Sequence, residues 1–367
     1  MSGLDRRTFL KVAGGTGAGT LSALAGCAGG TGGDGAGDDG DGSGEDTTYV
    51  GMVYATGGLG DGSFNDQAQQ GIQEAADEYT VEFDESQPEE VAQFANFQQQ
   101  FAQSTDPNYD LVSTIGFLQS DALSETAPDY PDQDFMIVDS VVEADNVASY
   151  VFREQEGSYL VGQLAGLLST QDFSAGAGST NPEASSVGFV GGVESDLIGR
   201  FEAGFRAGVK AASEDIEIQS SYVGSFNDPS GGQEAALAMY NNGADVVYHA
   251  SGNTGTGVFQ AAQEQERFAI GVDRRQSVTK PSYADVILAS MVKRVDTAVF
   301  NSVSAVVEGG FEGGSVTTLG LEEEGVAIGY GDQLGSEVPQ DVKDQITSAR
   351  DGIIAGDISV PTDPANV

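Results

Sequence analysis

A glycine-rich segment, TGGLGDGSFND at residues 56–66, follows directly on the apolar stretch TTYVGMVYA, which has the composition of a β-strand. Such a turn between a strand and a helix can bind a phosphate group, as in a nucleotide-dependent enzyme, or can line a pocket for an uncharged ligand. No lysine or arginine lies in the segment, and Asp61 and Asp66 would repel a phosphate. These residues favour an uncharged ligand and a binding protein.

The motifs of cofactor-dependent and hydrolytic enzymes fit this chain poorly. Gly58, Gly60 and Gly62 give the spacing G-x-G-x-G, whereas the dinucleotide fingerprint after a first strand is G-x-G-x-x-G. The single histidine, His249, lies inside the predicted strand ADVVYHAS, where a structural role is favoured over that of a base or metal ligand. Neither a second histidine nor a G-x-S-x-G segment supports triad hydrolysis. We therefore expect no enzymatic activity, no cofactor and no metal.

The chain is strongly acidic. Its 367 residues include 15 lysines and arginines against 57 aspartates and glutamates, for a formal net charge of −42. This balance argues against nucleic acid as a partner. Apolar residues make up 39% of the chain and fall in regular blocks, which indicates a folded protein rather than a disordered one. Repulsion among the acidic side chains, which only molar salt would screen, predicts a protein from an extreme halophile. The length of the chain allows two domains.

The N-terminus has the features of an exported lipoprotein. Arg6 and Arg7 open the sequence RRTFLK, which resembles a twin-arginine export signal, and the weakly apolar stretch 12–25 is too short for a permanent membrane span. The residues LAG before Cys27 resemble a lipobox, so the signal segment 1–27 would end at a lipidated cysteine. The alternative is an incidental or buried cysteine. As the single cysteine, Cys27 excludes an internal disulfide and a cysteine-built zinc site.

The next segment, 28–47, reads AGGTGGDGAGDDGDGSGEDT and contains no apolar residue larger than alanine. It cannot pack, so we expect a flexible tether with a root-mean-square reach of about 25 Å. Removal of the leader would take away three basic residues and one acid, leaving 12 positive and 56 negative side chains and a net charge of −44. The folded body is thus expected on the extracytoplasmic face of the membrane, held by a lipid at Cys27.

From residue 47 onward, short β-rich runs alternate with longer helical patterns. A first predicted helix spans 64–79, and a second begins at Pro88 and buries an apolar face on which Val91 is the first residue. The alternation restarts at residue 187 with the strand VGFVGG, and the spacer 169–186 is a predicted loop. Two successive βαβ sets predict two doubly wound α/β lobes.

Ligands of such sheets bind at the carboxyl ends of the strands, where this chain has glycines, aromatic residues and carboxylates. The residues at these ends are Gly116, Phe117 and Asp139 in the first lobe and Ser225, Phe226, Asn227, Ser251, Gly252, Asn253 and Asp273 in the second. Three candidates have purely structural alternatives. Phe64 opens an amphipathic helix and could belong to the core, and Asp139 and Asp273 could cap helices.

The few basic residues are clustered. Five of the 12 that the mature chain would keep lie within 21 positions, namely Arg274, Arg275, Lys280, Lys293 and Arg294. In so acidic a chain, this cluster predicts either a local salt-bridge network or a basic rim near the cleft.

Residues 49–329 resemble the basic membrane protein family of substrate-binding lipoproteins, the PnrA-like nucleoside-binding components of ABC transporters. The segments that carry the resemblance, in the family's order, are TGGLGDGSFND, FMIVDS, VFREQEGSYLVGQLAG, VGFVGGVESDLIGRFEAGFRAGVKAA, YVGSFND, AIGVD and ILASMVKRVD. The resemblance implies the type I periplasmic-binding-protein fold, in which two doubly wound three-layer α/β lobes are joined by hinge strands. The implied N-terminal lobe is 48–152 with 286–312, and the implied C-terminal lobe is 153–285 with 313–355.

The resemblance also implies the binding residues. Family members stack a purine between aromatic residues of opposing lobes, and these match Phe64 and Phe226, while the glycines of the first loop would let backbone approach the ligand. The implied ligand-binding residues are Gly57, Gly58, Phe64, Asn65, Asp139, Phe226, Gly252, Asp273 and Lys293. Two positions depart from the family pattern: Ala55 stands where an aspartate is usual, and Arg275 stands in GVDRRQ where the family often reads GVDxDQ.

The implied function is the capture of a nucleoside, with a purine favoured, by a lipoprotein that delivers it to an ABC permease in the membrane. Ala55 leaves the ligand class open, because an acid that contacts the ligand in the family is missing here, and a carbohydrate or another small polar ligand is an alternative. A membrane-anchored ligand sensor with the same cleft and a signalling partner is the other alternative. Neighbouring permease and ATPase genes would favour transport over sensing.

Lowering the ionic strength should destabilise the folded body. The screening distance lengthens from about 3 Å at 1 M salt to about 10 Å at 0.1 M, so repulsion among the acidic side chains should lower the melting temperature over that range. Thermal unfolding followed by circular dichroism across a salt series measures this effect. A melting temperature that stays constant across the series would contradict the charge-repulsion interpretation.

Overall fold

The computed structural model describes residues 47–367, and the predicted export signal at Arg6 and Arg7, the lipidation site at Cys27 and most of the predicted tether lie outside this range. The strands are β1 (Thr48–Val53), β2 (Val81–Ser86), β3 (Leu111–Ile115), β4 (Asp134–Val138), β5 (Val147–Phe152), β6 (Ser174–Ala175), β7 (Gly178–Ser179), β8 (Ser186–Gly191), β9 (Glu217–Tyr222), β10 (Ala244–Ala250), β11 (Phe268–Asp273), β12 (Ile287–Lys293), β13 (Val316–Leu319) and β14 (Val326–Tyr330). The helices are α1 (Phe64–Glu78), α2 (Phe94–Ala102), α3 (Ser120–Thr126), α4 (Glu154–Ser169), α5 (Asp196–Ala212), α6 (Pro229–Asn241), α7 (Gly255–Glu264), α8 (Gln276–Thr279), α9 (Val295–Val307) and α10 (Gln340–Ile354).

Two six-stranded sheets form the centres of two lobes. The first sheet has the order β13-β5-β4-β3-β1-β2 and is parallel throughout. The second has the order β14-β12-β11-β10-β8-β9 and is parallel except for β14, which pairs antiparallel with β12. Strands β3, β8, β10 and β11 are buried along their whole length, as expected for parallel sheets covered by helices on both faces. The prediction of two doubly wound α/β lobes is confirmed.

Between residues 47 and 367, the chain passes between the two lobes three times. It leaves the first sheet after β5 and enters α4, which packs on α5 and on strands of the second sheet. It returns after β12 through α9, which packs on α1 and on the first sheet. The third passage runs from β13 in the first sheet to β14 in the second. These passages lie side by side, since the backbone N–H of Arg153 donates to Leu319 and that of Arg294 to Gly325.

Sheet membership corrects the predicted lobe boundaries at two strands. The sequence resemblance predicts the segment 286–312 in the N-terminal lobe, but its strand β12 lies between β11 and β14 in the second sheet, and only α9 packs on the first lobe. The resemblance likewise predicts the segment 313–355 in the C-terminal lobe, but its strand β13 adds to β5 at the edge of the first sheet. Apolar patterning predicts that a strand forms, but it carries no information on which sheet has a free edge to pair with it.

Three local differences from the sequence prediction are small. Helix α1 ends at Glu78, one residue before the predicted end. The apolar face predicted from Val91 begins instead at Phe94, because residues 91–93 form a 3-10 turn that leaves the Val91 side chain 52% exposed. The predicted loop 169–186 contains the short antiparallel hairpin of β6 and β7.

Helices α4 and α5 approach each other at backbone contact distance. A methyl group at Gly162 of α4 would collide with the carbonyl oxygen of Phe205, and one at Gly208 of α5 would collide with that of Tyr159. Larger residues at these glycines would force the helices apart. The close packing fixes α4 within the second lobe immediately after the first passage between the lobes. None of the helices that the structure describes between residues 47 and 367 is both long and apolar enough to cross a membrane.

Candidate functional site

A cavity lies between the carboxyl ends of the strands of the two sheets and contains about 660 Å³ of space free of protein atoms, a figure that includes open solvent at its mouth. Eight of the nine predicted ligand-binding residues line it, namely Gly57, Phe64, Asn65, Asp139, Phe226, Gly252, Asp273 and Lys293. Gly58 does not line it: this glycine has φ +66°, and its N–H donates to the Ala55 carbonyl over 3.0 Å to close the turn. The carboxyl ends of the parallel strands thus bring residues from both halves of the chain together, as expected for α/β sheets.

The glycine-rich loop binds its own carboxylates. Asp61 accepts hydrogen bonds from the backbone N–H groups of Ser63 at 2.8 Å and Asn65 at 3.0 Å. Asp66 accepts from the N–H groups of two loop glycines at 2.7 and 2.8 Å. These N–H groups are the ones that a phosphate would use at the start of a helix. Because carboxylates already occupy them, the loop favours an uncharged ligand, in agreement with its lack of basic residues.

The side chain of Asn65 is also engaged within the loop. Its amide oxygen accepts the N–H of Ala55 at 2.9 Å, and its amide nitrogen donates to the Gly58 carbonyl at 3.1 Å and to Asp61 at 3.3 Å. Asn65 therefore holds the loop against the end of β1, although it lines the cavity. The sequence motif correctly indicates that Asn65 approaches the site. It does not show that the loop, and not a ligand, supplies the hydrogen-bond partners of the Asn65 amide.

A buried ammonium group lies at the centre of the site. Lys293, the last residue of β12, places Nζ 2.5 Å from Asp139 and 3.2 Å from Glu154, and its side chain is 1% exposed. Phenylalanine rings surround the same atom, with centroids at 5.4 Å for Phe64, 5.0 Å for Phe152 and 5.4 Å for Phe201. Carboxylates and ring faces both attract a cation, so this environment compensates for the loss of water around the ammonium.

Glu154 is a residue of the site that the sequence does not single out. It is fully buried at the start of α4 and also lies 3.9 Å from Arg200. The available signal was its position in VFREQEGS, directly after a buried strand. A glutamate in the first turn of a helix has a common structural explanation, since negative charge there is favoured by the helix dipole. Only the three-dimensional placement of Lys293 shows that this glutamate is part of a charge network.

Burial shifts the proton equilibria of this network. Desolvation raises the pKa of Asp273 to about 7, and desolvation also raises the pKa of Glu154 to about 7. Burial alone would lower the pKa of Lys293, but attraction to Asp139, Glu154 and Asp273 outweighs it and raises that pKa. Lys293 therefore stays charged at neutral pH, while two of its carboxyl neighbours titrate there.

The two predicted aspartates at strand ends adopt an unusual backbone conformation. Asp139 follows β4 with φ +71°, and Asp273 ends β11 with φ +62°. Residues other than glycine rarely adopt positive φ, although aspartate tolerates it better than most. This conformation turns both carboxyl groups into the cavity instead of onto a following helix, so the helix-cap alternative does not describe them.

The aromatic candidates face the cavity from opposite lobes. Phe64 and Phe226 are each partly buried and line the cavity, and Phe226 makes an edge-to-face contact with Phe117 at 6.3 Å between ring centroids. Of the two departures from the family pattern, Ala55 lies on the cavity wall. Arg275 does not line the cavity, and its guanidinium donates to the Tyr330 carbonyl at 3.1 Å.

The basic cluster of the sequence is mostly a local network rather than a rim. Lys293 is paired inside the site, and Arg294 makes a bidentate ion pair with Asp296 at 2.8 Å. Arg274 donates to Gln70 of the opposite lobe at 2.9 Å. These three cations are held by named partners rather than free to attract an anionic ligand.

The two lobes and the cavity lined from both of them define a substrate-binding protein of the periplasmic-binding-protein class. A solved ABC transporter solute-binding protein from Aeropyrum pernix has the same architecture, with a TM-score of 0.74 and 29% identity over 86% of this chain and 93% of that one. Residues 48–363 match the family model described as ABC transporter substrate-binding protein PnrA-like. The chain belongs to this family, as its sequence motifs predicted.

Two curated relatives cover most of the chain. The ABC transporter nucleoside-binding protein BmpA of Lactococcus lactis subsp. cremoris is 34% identical over 334 residues, which is 85% of this chain and 88% of that protein. An uncharacterized lipoprotein of Pyrococcus abyssi is 34% identical over 298 residues, which is 78% of this chain and 69% of that protein. This chain is accordingly a substrate-binding component of an ABC transporter.

The pKa of Asp273 predicts how stability depends on pH. An acid whose pKa is higher in the folded state holds its proton more tightly there, so its stabilising effect is present at low pH and is lost as the pH rises toward the folded pKa of about 7. The melting temperature of the ligand-free protein should therefore fall between pH 5 and pH 8. Asp273→Asn should reduce this fall, because the neutral amide cannot ionise, while Glu154 continues to contribute.

Differential scanning calorimetry at constant salt measures the effect. Asp344→Asn, at an exposed position of α10, removes the same charge and should leave the pH dependence as in the wild type. Parallel pH profiles for the wild type and Asp273→Asn would show that Asp273 is already ionised throughout this range.

Proposed function

We propose that this protein captures a nucleoside, preferably a purine nucleoside, in the cavity between its lobes and presents it to an ABC permease from the extracytoplasmic face of the membrane. The observation that carries the proposal is the placement of Phe64 and Phe226 on opposite lobes of one cavity, beside a buried lysine and two carboxyl groups. The nucleoside-binding relative from Lactococcus lactis supports the same ligand class.

The cavity offers different chemistry at its aromatic and charged parts. A flat purine ring can exchange water for contact with aromatic faces at Phe64 and Phe226. Sugar hydroxyl groups can donate to Asp139 and Asp273 and accept from Lys293. A phosphate would instead meet the buried acids Asp61, Asp139 and Asp273, so an unphosphorylated ligand suits the site better.

Capture would proceed by closure of the lobes rather than by chemistry. A ligand that contacts both lobes stabilises the closed form by its difference in affinity for the closed and open states. Such a rigid-body movement would take place about the three passages between the lobes. A permease that recognises the closed arrangement would distinguish loaded from empty protein.

Truncation of either stacking residue should weaken nucleoside binding. Aromatic stacking is worth roughly 1 to 3 kcal/mol per ring by alanine substitution, so Phe64→Ala and Phe226→Ala should each raise the Kd by about one to two decades. The control is Phe300→Ala, since Phe300 is a partly buried ring of α9 that packs on Tyr79 and does not line the cavity. Its Kd should stay within about twofold of the wild type.

Calorimetric titration of purine and pyrimidine nucleosides and of free ribose, into protein freed of bound ligand and kept in molar salt, measures these constants. If no nucleoside binds the wild type at submillimolar concentration, the substrate assignment is wrong. Ala55→Asp, which places the family's usual residue on the cavity wall, is then the first variant to test for nucleoside binding. Binding of ribose alone would move the assignment to a carbohydrate.

The lipid anchor is tested separately at Cys27, which lies outside the described residues. Cys27→Ser should leave the fold intact but release the exported protein into the medium, because the segment 28–47 has no apolar side chain larger than alanine to hold it at a membrane. Fractionation of cells and medium, with circular dichroism of the released protein, measures both. Correctly exported Cys27→Ser protein that stays with the membrane would contradict lipidation at this residue.

A further inference from the structure

The two lobes are joined by side-chain hydrogen bonds between the segment 62–70 of the first lobe and the segment 273–279 of the second. The bonds are Ser63 Oγ to Asp273 at 2.5 Å, Thr279 Oγ1 to the Gly62 carbonyl at 2.8 Å, Gln276 Nε2 to the same carbonyl at 3.4 Å, and Arg274 to Gln70 Oε1 at 2.9 Å. Only the first of these involves a residue that lines the ligand cavity. The lobes therefore have polar contacts of their own beside the cavity.

The carbonyl group of Gly62 is positioned to accept two of these bonds. Gly62 has φ +65°, and its N–H is held by the carboxylate of Asp66 at 2.8 Å, which orients the peptide unit. A Cβ at this residue would collide with the side chain of Lys280. The positive φ explains why glycine stands at this point of the loop, and the Lys280 side chain of the second lobe packs against it.

The orientation of Gln276 is fixed from inside the second lobe. Its amide oxygen accepts the N–H of Val272 at 2.8 Å and lies 2.9 Å from His249 Nε2, so the imidazole must donate there and its Nδ1 must accept from Ser251 Oγ at 3.2 Å. Burial lowers the pKa of His249 to about 4, which keeps the ring neutral and this pattern intact at neutral pH. The amide nitrogen of Gln276 is thereby left facing the first lobe.

Ser251 lines the ligand cavity, so this chain of hydrogen bonds runs from the cavity to the contact between the lobes. Its members are Ser251, His249, Gln276 and the carbonyl of Gly62. Both ring nitrogens of the single histidine are engaged in this chain of hydrogen bonds. The imidazole holds the amide of Gln276 in the orientation that can bond to the opposite lobe.

We infer that Thr279, Arg274 and the His249-oriented Gln276 are positioning residues, which stabilise the closed arrangement of the lobes before a ligand binds and so set the affinity for every ligand without contacting it. A ligand that binds only the closed form has an apparent Kd equal to its intrinsic Kd divided by the closed fraction. Loss of one interlobe bond reduces the ratio of closed to open protein and leaves the cavity unchanged. The inference deepens the proposed function, on which it rests where a nucleoside is the probe.

Thr279→Val removes the hydroxyl group with little change in shape, and Thr279→Ser keeps the hydroxyl. Given the net worth of a neutral hydrogen bond, Thr279→Val should lower the ratio of closed to open protein by about 2- to 10-fold. Small-angle X-ray scattering of the ligand-free protein should show a larger radius of gyration for Thr279→Val than for the wild type and Thr279→Ser. Calorimetric titration should show Kd values raised by up to the same factor, equally for each nucleoside that binds.

Arg274→Gln provides an independent variant, since Arg274 is only partly buried and its loss cannot open a core cavity. Its matched control is Arg350→Gln, in which the lost guanidinium contacts Asp351 on the surface of α10. Arg274→Gln should increase the ligand-free radius of gyration, and Arg350→Gln should not. Melting temperatures taken alongside establish that all variants are folded.

The scattering measurement needs no ligand, so it decides the inference even if no nucleoside binds and the proposed function is wrong. Unchanged radii for both Thr279→Val and Arg274→Gln would overturn the inference, because the interlobe bonds would then not determine closure. Equal expansion of Thr279→Val and Thr279→Ser would overturn it as well. A change of Kd for one nucleoside and not for others would assign Thr279 to ligand selection instead of closure.

Discussion

The ion cluster around Lys293 is the interaction on which the rest of the site depends. Lys293 ends β12 immediately before the second passage between the lobes, and Glu154 begins α4 immediately after the first. Asp139 reaches the same ammonium from the end of β4. Removing one partner of a buried ion pair destabilises the folded protein by about 3 to 5 kcal/mol. Each of these groups therefore constrains the position of the others. The charged residues at the cavity are therefore also the residues that fix where the chain crosses between the lobes.

Much of this arrangement can be predicted from the sequence, because parallel α/β sheets place ligand-binding residues at the carboxyl ends of their strands. Strands, helices and the two lobes follow from apolar patterning, and the carboxyl ends of the strands locate Phe64, Asp139, Phe226 and Asp273 around one cleft. The family motifs then narrowed the list to nine residues, of which eight line the cavity. Apolar periodicity and the order of the elements suffice to locate the lobes and the cleft, since both can be deduced from which residues are apolar and in which order they occur.

What the sequence did not predict depends on pairing in space. The membership of β12 and β13 is decided by which sheet offers a free edge, and nothing in either strand records it. Asn65 is held by the loop backbone and Glu154 by a lysine far along the chain, so neither role can be deduced from spacing. The positive φ of Asp139 is a property of the folded backbone that the pattern of a strand followed by an aspartate does not indicate. Local patterns thus indicate which residues reach the site, and tertiary contacts decide what each one does.

The backbone contact between α4 and α5 has a consequence for how the protein can move. Side chains normally separate the backbones of two packed helices, but at Gly162 and Gly208 the backbones of α4 and α5 are in direct contact. The two helices must then turn as a single unit with the sheet beneath them. In the closure proposed above, the displacement of a point on a rigid lobe would increase with its distance from the rotation axis. An axis at the passages, beside Lys293 and Glu154, would leave the charge network almost in place while the outer rim of the second lobe moves.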